Sequence, residues 1–274
     1  MHRAWQRFLA YRVGLAAAIY VLALVLIAIA TQLLPGFDPH QLSNEVMQPP
    51  SATHLLGTDE LGRDVLTGII YGVRVSIGVG FAAALAATVI GVLIGATAGF
   101  YGGIFDTLVM RVSEVFQVVP SFILAAVIVA LSGPGLTRVV TVIALLAWPQ
   151  IARLMRGEVM RVKGLEFVDA VRCLGVREPV ILATEVIPNA LAPVLAAGTL
   201  IVAQAILLEA ALSFLGLSSA DLVSWGRMLN SGQRFLFNAW WLSLFPGAAI
   251  FLTVLAFNLV GDAVGSALNP RSAR

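Results

Sequence analysis

One acidic side chain stands in the middle of a long apolar run, where a charge is expensive. This residue is Glu209, in Leu207-Leu208-Glu209-Ala210-Ala211. If the run crosses a membrane, a carboxyl group at this depth marks a candidate functional position. Glu209 is therefore a candidate for lining a polar pathway and meeting a cationic group there. A buried structural role, with the carboxyl group protonated or hydrogen-bonded, is the alternative that the sequence leaves open.

Other residue types that carry out chemistry are few and scattered. His2, His40 and His54 lie outside the apolar runs, and Cys173 has no second cysteine with which to pair. The sequence contains no H-E-x-x-H, no G-x-S-x-G and no G-x-x-x-x-G-K-[ST], so it predicts no metalloprotease site, serine-hydrolase site or phosphate-binding loop. We therefore expect that the chain is not an enzyme, with no catalytic residue, no metal site and no cofactor of its own.

The composition is that of a membrane protein. Hydrophobic residues make up 59% of the 274 residues and charged residues only 12%, against about 25% charged residues in soluble domains. A membrane-spanning helix needs about 20 mostly apolar residues. We predict an all-α polytopic membrane protein of about six transmembrane helices, near Val13–Leu34, Val75–Phe100, Val115–Leu131, Val139–Leu154, Ala192–Leu215 and Leu242–Val264.

The basic residues are distributed unevenly between the predicted loops. With the N-terminus inside, twelve of the seventeen Lys and Arg residues fall in inner segments, which predicts that both termini are cytoplasmic. Residues 1–70 would then hold a tail, the first transmembrane helix and an outer loop. Residues 71–270 would hold a core of five transmembrane helices with a polar loop at 153–189. The small net charge of +2 does not suggest a nucleic-acid partner.

Small and polar residues inside the predicted spans indicate helix packing. Gly91, Gly95 and Gly99 recur every four residues, so one face of the second span is nearly flat and lets another helix approach closely. Packing within the chain is the first expectation, and a dimer contact is the alternative. We expect Gln204 and Asn258 to form hydrogen bonds between helices.

The polar loop contains a short amphipathic segment, Leu165–Leu174. Phe167, Val171 and Leu174 fall on one side of a helix, and the charged residues fall on the other. Gly175 suits the left-handed conformation that ends a helix. A second short helix is predicted to begin at Pro179 and to end before Pro188. Periodicity alone leaves two roles open for the first helix, docking to a partner or lying flat at the lipid headgroups.

A family resemblance favours docking. The segment from Glu166 to Ile187-Pro188-Asn189 resembles the EAA loop of inner-membrane permeases of ATP-binding-cassette (ABC) importers, with Asp169-Ala170-Val171 where the family has Glu-Ala-Ala. The resemblance implies a type I ABC importer permease fold whose coupling helix inserts into a groove of a cytoplasmic ATPase subunit. The residues that it assigns to ATPase coupling are Glu166, Phe167, Asp169, Ala170, Val171, Leu174, Gly175 and Pro188.

An outer-loop motif narrows the branch of the family. The run from His54 to Val65 is similar to the signature of the dipeptide, oligopeptide and nickel permeases, and the chain resembles their C-type subunit. We expect Thr58 or Asp59 to cap the following helix and Arg63 to pair with Asp64. The motif would brace the outer mouth, or alternatively contact the solute. Its residues are Gly57, Thr58, Asp59, Gly62, Arg63 and Asp64.

The resemblance also implies a set of partners. A B-type permease would form a heterodimer with this chain, two ABC ATPase subunits would bind ATP and magnesium, and a periplasmic or lipid-anchored binding protein would deliver the solute. The complex would lie in the lipid of a bacterial inner membrane and import dipeptides, oligopeptides or a related solute; nickel, metallophores and glutathione remain open. The alternative is an ion-driven secondary transporter acting alone, which usually shows internal repeats and several membrane-embedded charges.

Overall fold

The computed structural model describes residues 11–33, 38–219 and 222–268. Within these ranges the chain is helical apart from loops and one isolated β-bridge between Thr58 and Asp64. The helices are α1 (Arg12–Leu33), α2 (Val65–Tyr101), α3 (Gly103–Val118), α4 (Ser121–Ser132), α5 (Leu136–Lys163), α6 (Glu166–Cys173), α7 (Glu178–Ile181), α8 (Ile187–Phe214), α9 (Trp225–Gly232) and α10 (Trp241–Leu268). A π-helical turn (Leu182–Val186) joins α7 to α8, and a 3₁₀ turn (Gln233–Phe235) follows α9.

Five helical segments are long and apolar enough to cross a membrane, namely α1, α2, α5, α10 and the continuous helix from α7 to α8. A sixth span is possible only if α3 and α4 are counted together, and these two helices meet at an angle of 89°. The third span predicted near Val115–Leu131 therefore corresponds to this bent pair, in which the helix breaks between Val118 and Ser121. Pro120 disfavours helical geometry at the residue before it, and Val119 is extended with φ −86° and ψ 132°.

Two helix boundaries differ from the prediction by nine or ten residues. Helix α2 begins at Val65, ten residues before the predicted start, and so continues through the expected boundary between residues 70 and 71. Helix α5 continues to Lys163, nine residues beyond the predicted end of the fourth span. The first third of the polar loop predicted at 153–189 is therefore helix. Its basic residues did not end α5, because Arg and Lys are good helix formers.

Pro188 does not end a helix as predicted. The chain stays helical from Glu178 to Phe214, and Pro188 lies in the first turn of α8. A proline has no N–H for the carbonyl group one turn earlier, so a regular α-helix would leave that group unpaired. The helix widens here into a π turn, in which Ile187 N–H bonds to the Leu182 carbonyl oxygen.

The glycine-lined face of α2 packs against α5 within this chain. A Cβ atom on Gly91 would lie 2.6 Å from Ile151, one on Gly95 would meet the Ala152 carbonyl oxygen, and one on Gly99 would lie 2.7 Å from the Arg156 carbonyl oxygen. The contacts advance together along both helices, so α2 and α5 run parallel. This intrachain contact occupies the face that the sequence left open to a dimer, and it brings both helices to the same end as α6.

Candidate functional site

Helix α6 is seated on the end of the bundle by one buried side chain. Val168 is fully buried and Val171 packs partly against the same core, whereas Phe167, Ala170 and Leu174 are exposed. Leu174 is 82% exposed. The predicted apolar side is thus divided, because Val171 turns toward the bundle. The remaining surface is an outward apolar ridge, which we call the α6 ridge (Phe167, Ala170 and Leu174).

Arg172 fixes α6 to the segment that follows it. Its Nη1 donates to Asp169 Oδ1 at 2.9 Å, and its Nε donates to Glu178 Oε1 at 3.0 Å. The hydrogen bond to Glu178 raises the pKa of Arg172 above its ordinary value. Between these helices Gly175 has φ +79°, and its N–H donates to the Arg172 carbonyl oxygen at 2.9 Å. The predicted left-handed end of the helix at Gly175 is present.

We call the contacts beneath α6 its base. They join three helices through Phe100. Phe100 is nearly fully buried at the end of α2, and the ammonium group of Lys163 lies 5.2 Å from its ring centre and donates to its carbonyl oxygen. The Arg172 guanidinium lies 5.9 Å from the same ring centre. Cations at such distances are attracted to the face of an aromatic ring. The coupling prediction did not include Phe100 or Lys163, which are 63 residues apart in the sequence.

A second contact of this base joins α3 to α5. Arg156 donates to both carboxylate oxygens of Asp106, from Nε at 2.5 Å and from Nη2 at 2.6 Å. The pair is partly buried, and a bidentate guanidinium–carboxylate contact is both strong and directional. The end of α5 is thereby held against α2 and α3 together. Glu166 and Asp169 remain exposed on α6, and Pro188 is exposed at the start of α8.

The outer-loop motif folds back on itself around Thr58. The Thr58 side chain is fully buried; its hydroxyl donates to the Glu45 carbonyl oxygen at 2.6 Å and accepts from Gln48 N–H at 2.9 Å. Trp241 Nε1 donates to the Thr58 carbonyl oxygen at 3.2 Å and so attaches the loop to α10. Gly57 and Gly62 have φ of +82° and +75°, as tight turns require.

Two local predictions for this motif are wrong. Asp64, not Thr58 or Asp59, caps α2 by accepting from Thr67 N–H at 2.8 Å. Asp59 instead closes its own turn by accepting from the backbone N–H groups of Leu61 and Arg63. Asp64 pairs with His54 Nδ1 at 2.9 Å, and among the described contacts it forms no ion pair with Arg63. Adjacent residues in an extended turn point in different directions, so neighbours in sequence need not pair.

Glu209 is enclosed in a small polar cluster. It is fully buried in α8, and Ser213 Oγ donates to its Oε1 at 2.6 Å. The buried serines Ser76 from α2 and Ser224 from the cap of α9 lie near the same carboxyl group, although its Oε2 accepts no hydrogen bond from the described residues. The cluster therefore lies where α2, α8 and α9 meet. Glu209 does not line the cavity between the α3–α4 bend, α5 and α8.

A cavity of about 760 Å³ opens between the α3–α4 bend, α5 and α8. Five exposed polar side chains line it: Gln117, Ser121, Gln150, Arg153 and Gln204. Gln204 forms no hydrogen bond to another helix in the described part of the chain, and Asn258 bonds within its own helix to the Val254 carbonyl oxygen. The interhelical roles expected for these two residues are therefore not observed. The missed signal was that glutamines occur in all three helices around one space.

Comparisons with known proteins place the chain in a family. The model of a family described as "Binding-protein-dependent transport system inner membrane component" matches residues 91–274, and that of the "N-terminal TM domain of oligopeptide transport permease C" matches residues 1–50. The chain belongs to the family of binding-protein-dependent transport system inner membrane components. It is the permease class that the resemblance predicted.

Relatives align along almost the whole chain. The glutathione transport system permease protein GsiD of Pectobacterium atrosepticum is 36% identical, with 97% of this chain and 90% of the relative covered. The dipeptide transport system permease protein DppC of Alkalihalophilus pseudofirmus is 37% identical, with 95% and 86% covered. The inward-facing methionine ABC transporter MetNI has the same fold, at a TM-score of 0.60 and 19% identity over 75% of this chain and 98% of its own. The predicted ABC importer permease fold is confirmed.

Proposed function

We propose that this chain is the C-type permease subunit of an ATP-driven, binding-protein-dependent importer of dipeptides, oligopeptides or a related small solute such as glutathione. The α6 ridge is the observation on which the proposal rests. Its Leu174 side chain is 82% exposed and points outward, while the base holds the helix in place. The sequence contains no phosphate-binding loop of its own. A partner that binds ATP would cover this ridge.

The partners follow from that arrangement. A B-type permease completes the membrane unit as a heterodimer, two ABC ATPase subunits supply ATP and magnesium, and a periplasmic or lipid-anchored binding protein delivers the solute. The chain itself catalyses no reaction. The complex lies in the inner membrane of a bacterium, with both termini and the α6 ridge in the cytoplasm and residues 38–64 outside.

Transport proceeds by alternating access. ATP binding closes the two ATPase subunits, and their movement displaces α6. The base of α6 then transmits this displacement to the membrane helices. The base suits this task because Phe100 contacts Lys163 and Arg172, and Asp106 holds Arg156. A displacement of α6 therefore reaches α2, α3 and α5 together. A second route runs through the backbone itself, because the π turn joins α7 directly to α8.

The remaining elements take structural or pathway roles. The cavity beside the α3–α4 bend forms one wall of the translocation pathway, because polar side chains in membrane helices face water-filled space or partners. We assign Glu209 to helix packing at its serine cluster instead of to the pathway. The loop at 38–64 braces the outer mouth through Thr58, His54 and Trp241.

A charge placed on the α6 ridge tests the function. In the Leu174→Asp variant, a carboxylate would have to be desolvated in an apolar groove, at a cost of about several kcal/mol. We expect the ATPase subunits to be lost from the purified complex and ATP-dependent uptake to be abolished. The matched control is Leu55→Asp, at a 63% exposed leucine of the 38–64 loop, which should retain the ATPases.

Two outcomes would contradict the proposal. One is full copurification of the ATPases with Leu174→Asp. The other is solute accumulation by vesicles that contain this chain alone under a proton or sodium gradient, which would support the secondary-transport alternative. Family membership disfavours that alternative.

A further inference from the structure

Arg153 is the one basic residue of α5 without a partner in the described part of the chain. Arg156 and Arg161 form ion pairs with Asp106 and Glu158. The other two donate to backbone carbonyl groups, Arg138 to Pro134 and Lys163 to Phe100. Arg153 is exposed on the wall of the 760 Å³ cavity, and none of the described residues that line the cavity is acidic.

An unpaired guanidinium group in a membrane helix is costly, and such groups persist where they serve a ligand or a partner. Its flat fork of N–H donors matches a carboxylate in two parallel hydrogen bonds. The chemistry of this wall is therefore anion recognition.

The neighbours of Arg153 suit a particular kind of anion. Gln150 lies three residues before Arg153 and so shares its face of α5, while Gln117 comes from α3 and Gln204 from α8. Each glutamine side chain has two N–H donors and a carbonyl acceptor, which are the complements of a peptide group. A carboxylate at Arg153 with amides around it corresponds to the C-terminal end of a short peptide.

We propose that Arg153, with Gln117, Gln150 and Gln204, forms a weak site that binds the free carboxylate of the solute during its passage. The inference rests on the proposed transport function and adds a chemical selection inside the membrane, independent of the binding protein. The site favours solutes with a free carboxylate over neutral analogues of the same size. Weak binding is required, since a solute held tightly would not leave.

Protection from chemical labelling tests the site directly. Ser121 lines the same cavity and is exposed, and Ser121→Cys is nearly isosteric, so its thiol reports on occupancy. The complete complex with this substitution is treated with N-ethylmaleimide, an uncharged reagent, and labelling at residue 121 is followed by mass spectrometry, which separates it from labelling at Cys173. The probes are dialanine and its C-terminal amide, without binding protein.

We expect dialanine to slow labelling at residue 121 and the amide to have little effect. Arg153→Gln should weaken the protection about tenfold or more, as the loss of one charge-assisted bidentate contact implies, and Arg153→Lys should retain part of it. Arg161→Gln is the control on the same helix, where the arginine pairs with Glu158 outside the cavity, and its protection should equal that of the parent.

Three results would overturn the inference. Equal protection by dialanine and its amide would show that Arg153 does not select a carboxylate. An effect of Arg153→Gln that depends on anionic phospholipid and not on dialanine would assign Arg153 to lipid phosphate. Loss of the B-type permease from the Arg153→Gln complex would make it an interface ion pair. Each of these leaves the transport function intact if the parent complex still accumulates dialanine with ATP.

Discussion

At the scale of single residues, backbone geometry decides whether α6 can present its ridge. Gly175 has φ +79°, and a Cβ atom added to it would meet nothing within 4 Å. The demand for glycine is therefore conformational, because other residues reach this region only at a cost. The sequence was sufficient to identify Gly175, since a helix terminator depends on local structure alone.

Gly175→Val tests this demand. A β-branched residue at this φ costs about 1–3 kcal/mol, so the chain is expected to leave the left-handed region and move Leu174 from its position on the ridge. We predict weaker copurification of the ATPase subunits and loss of ATP-dependent uptake, with partial recovery in Gly175→Asn because asparagine tolerates this region. The control is Gly157→Val, which also has open space but an ordinary helical backbone. Equal behaviour of the two valine variants would refute the conformational argument.

At the scale of elements, α2 and α5 form the support of the end that carries α6. The sequence indicated the glycine face but not which helix fills it, because any helix can approach a flat face. Phe100, Lys163 and the Asp106–Arg156 pair then fix the ends of both helices. These contacts join residues far apart in sequence, so periodicity and spacing carried no sign of them.

The close approach of α2 and α5 predicts that replacing glycine by alanine has different effects on stability at two positions of α2. Gly95→Ala places a methyl group against the Ala152 carbonyl oxygen. We expect the free energy of unfolding of the purified permease to fall by about 1–3 kcal/mol, the usual cost of overpacking, and its melting temperature to fall with it. Gly78→Ala, on the same helix, places its methyl group in open space and should be neutral or stabilising by up to about 1 kcal/mol. Equal melting temperatures for the two variants would contradict the assigned packing.

The contact between Lys163 and Phe100 predicts a coupling defect. Lys163→Met keeps a long apolar stem but removes the cation from the ring and the donor to the Phe100 carbonyl group. We expect ATP hydrolysis to continue in the assembled complex while solute uptake per ATP hydrolysed falls several-fold. Arg161→Met is the matched control, since Arg161 pairs only with Glu158. An unchanged ratio of uptake to hydrolysis in Lys163→Met would exclude Phe100 from the coupling route.

At the scale of the whole molecule, the two ends of the bundle differ in kind. One end carries α6 on its fixed base, and the other carries the 38–64 loop attached to α10 through Trp241. The cavity is lined by apolar side chains and by the polar side chains of α3, α4, α5 and α8. Which end faces the cytoplasm rests on the twelve of seventeen Lys and Arg residues assigned to inner segments.

The single native cysteine reports this orientation. Cys173 is exposed at the α6 end, so a membrane-impermeant maleimide should label it in inverted membrane vesicles but not in intact spheroplasts, when the permease is produced without its ATPases. Ala52→Cys adds an exposed site in the 38–64 loop that should give the reverse pattern. Labelling of Cys173 in spheroplasts alone would place α6 outside and refute the coupling role.

The sequence by itself determined the membrane class, the permease family, the short helix at Glu166–Cys173 and its end at Gly175. The membrane class, the helix and its end depend on run length, local periodicity and single-residue backbone preference, which act over a few residues, whereas the family followed from the resemblance of motifs along the chain to those of known permeases. Only the tertiary structure decided that α3 and α4 meet at 89°, that Asp64 caps α2, that Glu209 lies among serines and that Arg153 lines the cavity. The reason is physical: the partner of a polar side chain is chosen by the packing of distant helices, and that choice leaves no periodic trace in the chain.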